Sequence, residues 1–276
     1  MIICKSPQEI ERMARAGVVV AATLRLLEER IRPGVTTAQL DALAERFIRS
    51  QGGAPTFKGY RGYPAAICTS PNDMVVHGIP GAYRLEQGDI LSVDVGVTLG
   101  GFVADSAWTF PVGAVSAEAE RLLEAGQAAL WAGVEQARPG RSVGDISAAV
   151  QQATEGAGFS VIRTLVGHGV GRSMHEDPQI PNFATGSRGA ALLKGMTLAI
   201  EPMITAGGPG VVVHDDEWSI STADGSLSVH FEHTVAVLGE GPRVLTARER
   251  ARAESATISL GGERGAASVV GPATRS

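Results

Sequence analysis

The chain has 276 residues, enough for one large domain or two modest ones, with a net charge of −5 and an ordinary hydrophobic share of 44%. That mild acidity gives no support to a broad nucleic-acid-binding face, and the two cysteines, Cys4 and Cys68, form no CxxC or Cys/His spacing, which excludes a disulfide framework and a zinc ribbon. No apolar run approaches the roughly 20 residues of a membrane span, and MIICKSPQEI carries no apolar core of signal-peptide length, so a cytoplasmic protein with no membrane partner is expected.

Ser6-Pro7-Gln8-Glu9 reads as a helix start, with Ser6 as N-cap, Pro7 at the first helical position and Glu9 closing a capping box. Ile10, Met13, Ala14, Gly17, Val18 and Ala21 recur at three and four residues, so an amphipathic helix runs toward Glu29 and breaks at Pro33-Gly34. A second helix begins at Thr36 or Thr37, carries Leu40, Leu43, Ala44, Phe47 and Ile48 on one face, and ends near Gly52-Gly53. Residues 54 to 80 read as loop and short strand, with Tyr60, Tyr63, Cys68 and the segment NDMVVHGIP.

From Gly88 to Phe110 the pattern changes to a period of two. Leu91, Val93, Val95 and Val97 alternate with Ser92, Asp94 and Gly96, and a second run follows after Leu99-Gly100-Gly101. The reading is a hairpin. Asp94 and Asp105 lie symmetrically about the Leu99-Gly100 junction, so a two-residue loop centred there makes them directly opposed, with Cβ atoms about 4.5–5.5 Å apart. A lone Asp usually caps a turn or pairs at the surface. These two sit in strand interiors, where Asp is disfavoured, with no Lys or Arg nearby in sequence. Unpaired burial of both is costly, and a cation between them removes the cost.

After the hairpin the helical pattern returns. Ser116 to Gln136 reads as a helix, Arg138-Pro139-Gly140 as a break, and a further helix runs from Val143 to Gly156-Ala157-Gly158. Pro33 matches Pro139, Leu40 matches Ile146 and Gly52 matches Gly158, all at an offset of 106 residues, which favours an internal duplication over chance. Strand-like segments follow at Val161 to Val166, Thr197 to Ile204, Val211 to Val213 and Leu227 to Leu238. The expected organisation is one catalytic domain over residues 1–248, made of halves at about 6–115 and 116–245, and a disordered tail over 249–276.

Three more segments place ligand-type side chains in apolar or glycine-rich surroundings: GHGVGRSMHE with His168 and His175, LAIEPM with Glu201, and VHFEHTVAV with Glu232. With Asp94 and Asp105 they give four carboxylates and a nitrogen donor, a set suited to divalent Mn, Fe, Co or Zn and large enough for two ions. Competing motifs fail. His175-Glu176 opens HExxH but Gln179 occupies the second histidine position, VGHGVG lacks dinucleotide spacing, and no GxSxG elbow occurs. Cys68 with His77 is better read as a core cysteine than as a thiol dyad, and His214, His230 and His233 read as structural.

Through NDMVVHGIP, SVDVGV with Asp105 beyond it, GHGVGRSMHEDP, AIEPM and DDEWSISTADGSLSVHFEHT, the chain resembles type I methionine aminopeptidases from about Ser6 to Leu245. The resemblance implies the α+β pita-bread fold, an antiparallel sheet flanked by two helix pairs related by pseudo-twofold symmetry. It implies that Asp94, Asp105, His168, Glu201 and Glu232 hold two divalent metal ions (Co, Mn, Fe or Zn), that Glu201 also serves as base, and that His77 and His175 are catalytic. It also implies a methionine pocket of Tyr60, Tyr63, Cys68, His77, Met174, His175 and Trp218, with Met174 where many relatives have Phe. The implied activity is release of the initiator methionine from nascent polypeptides whose second residue is small, by a monomer in transient contact with the ribosome. Prolidases and aminopeptidases P share the ligand set but usually carry an added N-terminal domain, and metal-free binding proteins of the same fold do not keep all five ligands.

Overall fold

Two helix pairs lie on the outer faces of antiparallel sheets in the computed structural model, which describes residues 1–248. The expected tail, 249–276, lies outside the described residues. Helix α1 spans Pro7–Glu28 and α2 spans Thr37–Ser50; α3 spans Ala117–Glu135 and α4 spans Val143–Gly156. Each starts where a side chain accepts an N–H that the first turn leaves unpaired. Ser6 and Glu9 form the capping box of α1, Thr36 and Gln39 that of α2, Ser142 and Asp145 that of α4, while the Ser116 hydroxyl accepts from the Ala119 amide.

An offset of 106 residues also relates the bounds of these elements: it carries those of α2 onto α4, and those of the Ala54–Pro55 strand onto Ser160–Val161. The bridge from Thr36 to Arg84 has its counterpart in one from Ser142 to Ala191. Each helix pair buries its apolar stripe on its own sheet. In the first half Val20, Leu24, Leu40 and Ile48 meet Val93, Val95 and Val97; in the second Leu122, Leu130, Ile146 and Val150 meet Leu198, Ile200 and Val235. No helix among the described residues is long and apolar enough to cross a membrane.

The central hairpin pairs Ile90–Leu99 with Phe102–Pro111, but its register differs from the expectation. Leu99 faces Phe102, so the two-residue loop is Gly100-Gly101, with φ of 58° and 80°. A type I′ turn needs positive φ at both loop residues, which two glycines supply and Leu99 resists. Asp94 therefore faces Ala107, and Asp105 faces Gly96. The shift moves the pairing by two positions, so both aspartates keep one face and become diagonal neighbours.

Of the later strands, Val211–Val213 has the expected bounds and the other three are shorter than expected. Val161 to Val166 is no single strand: Ser160–Val161 and Val166–Gly169 belong to different sheets, joined by a bend. Thr197 to Ile204 breaks after Ile200, where Glu201 precedes a proline without an amide donor, and Leu227 to Leu238 breaks at Phe231-Glu232. Glu176–Pro181 is an edge strand that its two prolines concealed from the pattern.

Bonds between the halves hold the hairpin against the second sheet. The Asp105 amide donates to the Thr234 hydroxyl (2.9 Å), which donates to the Asp105 carbonyl (2.8 Å), and the Glu232 amide donates to the Ala107 carbonyl (2.9 Å). Asp105 and Ala107 of the first half are thereby fixed beside Thr234 and Glu232 of the second.

Candidate active site

A cavity of about 320 Å³ opens between the halves. The hairpin brings Asp94 and Asp105 to its floor, the Val166–Gly169 strand brings His168, and the two strand breaks bring Glu201 and Glu232. A carboxylate at a break faces inward without occupying a ladder position, which accounts for why both glutamates sit where the strands stop.

Asp105 and Glu232 are almost fully buried, 2% and 1% exposed. Asp105, His168 and Glu232 each bring one donor atom within 4.8 Å of the others. The His168 Nε2 stands 3.4 Å from a Glu201 oxygen and 3.9 Å from an Asp105 oxygen. Its Nδ1 lies 2.9 Å from the Gly169 carbonyl, which can only accept, so the proton sits on Nδ1 and the Nε2 lone pair faces the carboxylates. Lone pair against anion is repulsive. Asp94 Oδ1, Asp105 Oδ1 and Glu232 Oε1 are also buried without a hydrogen-bond partner among the described residues.

Burial raises the Asp94 carboxyl to about 7. It pushes Asp105, Glu201 and Glu232 well above the usual carboxylate range, and their mutual repulsion adds to it. Burial and the nearby His175 bring His168 down to about 4, keeping it neutral at pH 7. Converging orphaned oxygens plus one neutral imidazole lone pair fit a divalent cation, whose charge reverses the whole pattern.

Above this floor, Tyr60, Tyr63, Cys68, His77, Met174, His175 and Trp218 all line the same cavity. His77 has φ of 60°, a region histidine enters more readily than most side chains, and burial, then His175, brings it to about 4. The turn that carries it is held by the Tyr63 hydroxyl, which donates to the Gly78 carbonyl at 2.9 Å. Tyr63 and Trp218 meet edge to face at 5.0 Å. On the open side the Tyr60 hydroxyl and His175 Nδ1 are 2.8 Å apart, and the His175 and His168 rings lie 4.3 Å apart.

The sequence reading missed several wall residues, Phe57, Arg61, Leu165 and Met203 among them, and one of chemical interest, His230. Read from sequence as structural, His230 lines the cavity, with a buried Nε2 that has no hydrogen-bond partner among the described residues and lies 3.7 Å from a Glu201 oxygen. Its signal was there: it stands two residues before Glu232. The other two histidines are occupied elsewhere, His214 with Ser221 and His233 with Thr246.

The chain matches the model of metallopeptidase family M24 over residues 11–238. It is 50% identical to the methionine aminopeptidase of Clostridium perfringens, covering 89% of this chain and 99% of that one, and 46% identical to methionine aminopeptidase 1 of Mycobacterium tuberculosis, covering 88% and 94%. Among solved structures, the methionine aminopeptidase of Rickettsia prowazekii superposes with a TM-score of 0.88 at 38% identity, covering 90% of this chain and all of that one. The prolidase of Pyrococcus furiosus, at 23% identity and a TM-score of 0.72, shares the fold, and the match spans 89% of this chain and 65% of that one.

Proposed function

Because the chain belongs to metallopeptidase family M24, we propose that it is a methionine aminopeptidase, removing the initiator methionine from nascent polypeptides whose second residue is small. The observation that carries the reading is the convergence of orphaned carboxylate oxygens and the His168 lone pair beneath an apolar, aromatic pocket. In this reading Asp94, Asp105, His168, Glu201 and Glu232 hold two divalent ions, Co, Mn, Fe or Zn. Such ions supply Lewis acidity, polarising the scissile carbonyl and lowering the pKa of water.

The protein's own groups do the rest. Tyr60, Tyr63, Cys68, Met174 and Trp218 wrap the methionine side chain, with sulfur–aromatic contacts worth about 0.3–1.5 kcal/mol. Glu201 takes the proton of the attacking water and returns it to the leaving amine. With the Tyr60 hydroxyl donating to Nδ1, neutral His175 carries its proton on Nε2 and donates to the oxyanion that develops on the carbonyl. His77, neutral at pH 7, hydrogen-bonds the scissile nitrogen. His175→Ala is expected to lower kcat by about 10²–10⁴-fold with metal content unchanged; loss of metal would move His175 among the ligands.

The test of the function is chelation followed by readdition of single metals, assayed on Met-Ala, Met-Lys and Ala-Pro peptides. Metal-restored turnover confined to Met-Ala is expected. Preference for Ala-Pro would favour the prolidase reading, which the shared fold alone supports.

A further inference from the structure

One buried ion pair lies outside the cavity yet is bonded to the loop that forms its wall. Lys5 and Glu176 meet through Nζ and Oε2, with side chains only 3% and 7% exposed. Lys5 is itself fixed at both ends: its amide donates to the Gly195 carbonyl at 2.6 Å, and its ammonium also donates to the Ile3 carbonyl at 3.0 Å. The other oxygen of Glu176 accepts two backbone amides, from Arg172 at 2.8 Å and Ser173 at 3.2 Å. The carboxylate thus spans from a buried cation to the chain segment 172–175, which ends in Met174 and His175.

The approach is close. A Cβ at Gly171 would sit 2.3 Å from Lys5 Cε and 2.7 Å from the Glu176 carboxylate, so a side chain there would have to displace the ends of the pair. Arg172, Ser173 and His175 are solvent-facing, and no regular strand or helix spans residues 170–175. The segment is held by this carboxylate together with the Arg172 guanidinium on Glu9 (3.0 Å), the Gly171 amide on the Ser173 carbonyl (3.1 Å) and the Tyr60 hydroxyl beside His175 Nδ1 (2.8 Å), and among these only the carboxylate is tied to Lys5. His175 stands two residues after the second held amide, with Met174 between, and Glu176 is its neighbour in the chain.

We infer that Lys5 is a positioning residue: its charge holds Glu176, and Glu176 holds the 172–175 loop so that His175 and Met174 face the cavity. Neither residue touches substrate. The inference rests on the catalytic role read for His175, and the tests separate the two. Removing the Lys5 ammonium leaves a buried carboxylate without its partner and free to turn toward water, releasing the Arg172 and Ser173 amides. Replacing Glu176 by Gln as well removes that drive, while the amide oxygen still accepts the same two N–H groups.

The experiment compares the metal-loaded wild type with Lys5→Met, the double variant Lys5→Met/Glu176→Gln, and His175→Ala. Lys5→Met is expected to speed hydrogen exchange at the Arg172 and Ser173 amides at least tenfold and to lower kcat on a Met-Ala peptide at least tenfold with metal content unchanged. The double variant is expected to recover at least fivefold of that kcat, a rescue that general loss of stability does not produce. Unchanged exchange at the two amides overturns the clamp; faster exchange with wild-type kcat, or no rescue, overturns the positioning role. Wild-type kcat in His175→Ala would instead strike the role of His175 itself, leaving the exchange result to judge the clamp. Should Lys5→Met not fold, Glu176→Ala carries the test, since it removes the oxygen that accepts both amides, with faster exchange at Arg172 and Ser173 expected and wild-type exchange overturning the clamp.

Discussion

Asp105 stands where burial and neighbouring carboxylates disfavour its charge. It is 2% exposed, one of its oxygens has no hydrogen-bond partner among the described residues, and burial, Glu232 and Asp94 all raise its pKa. Asp105→Asn keeps the shape and removes the anion, so the fold is expected to survive while metal affinity and kcat/KM fall beyond the roughly 10–100-fold typical of groups that merely support a ligand. Near-wild-type activity at saturating metal would remove Asp105 from the ligand set. Met174 tests the opposite surface of the cavity. Buried at 6% exposure beside the aromatic wall, it offers a flexible thioether where a ring would be rigid. Met174→Phe is expected to raise the ratio of kcat/KM for methionine over norleucine peptides, with metal content unchanged; an unchanged ratio would show that Met174 does not shape the pocket. Single residues were the most legible part of the sequence, because Asp in a strand interior or Glu in an apolar run is anomalous wherever it occurs. His230 escaped because a histidine next to apolar residues has no such anomaly; its place in the cavity shows only when the chain brings it beside Glu201.

Helices were legible and short strands were not, for a physical reason. A cap is a local device: Ser6 with Glu9, or Thr36 with Gln39, closes hydrogen bonds within three residues, so the helix ends are written in the sequence. A three-residue strand such as Met203–Thr205 exists only because Ser228–His230 and Ser160–Val161 lie beside it. The hairpin lies between these cases, since its strands were evident and its register depended on which two residues made the loop. That dependence gives a prediction. Gly101 holds φ of 80°, so Gly101→Val strains the turn that sets Asp94 and Asp105 on one face. Loss of more than about 1 kcal/mol in urea unfolding is expected, together with weaker metal binding by titration. A variant with unaltered stability and affinity would mean that pairing along the strands, not the turn, fixes the register.

Across the whole molecule, the two halves meet at a charged floor that neither could bury alone, and this makes stability depend on pH in a way that metal reverses. Without metal, burial raises Asp94 to about 7 and sends Asp105, Glu201 and Glu232 well above the usual carboxylate range, so the folded state holds protons that the unfolded chain has released. Stability from this source falls as pH rises. The buried histidines act in the other direction: His77 and His168 near 4 and His230 near 3 are harder to protonate folded than unfolded, so stability is lost as pH drops below about 6.5. The two effects oppose one another from about pH 4 to 6.5. The unfolded histidines shed their last protons by about pH 7.5, and above that only the carboxylates count. The Cys68 thiol, raised by burial, enters only nearer the ordinary thiol range of about 8.5. The window from about pH 7.5 to 8 therefore isolates the floor. Protein stripped with chelator is expected to show a urea midpoint that falls steadily across this window, and readdition of a divalent ion is expected to raise the midpoint most at pH 8, where the carboxylates are most fully ionised and bind it best. A stripped protein whose midpoint does not change between about pH 7.5 and 8 would mean that the four carboxylates are already charged and compensated without metal, and that nothing calls for a cation among them.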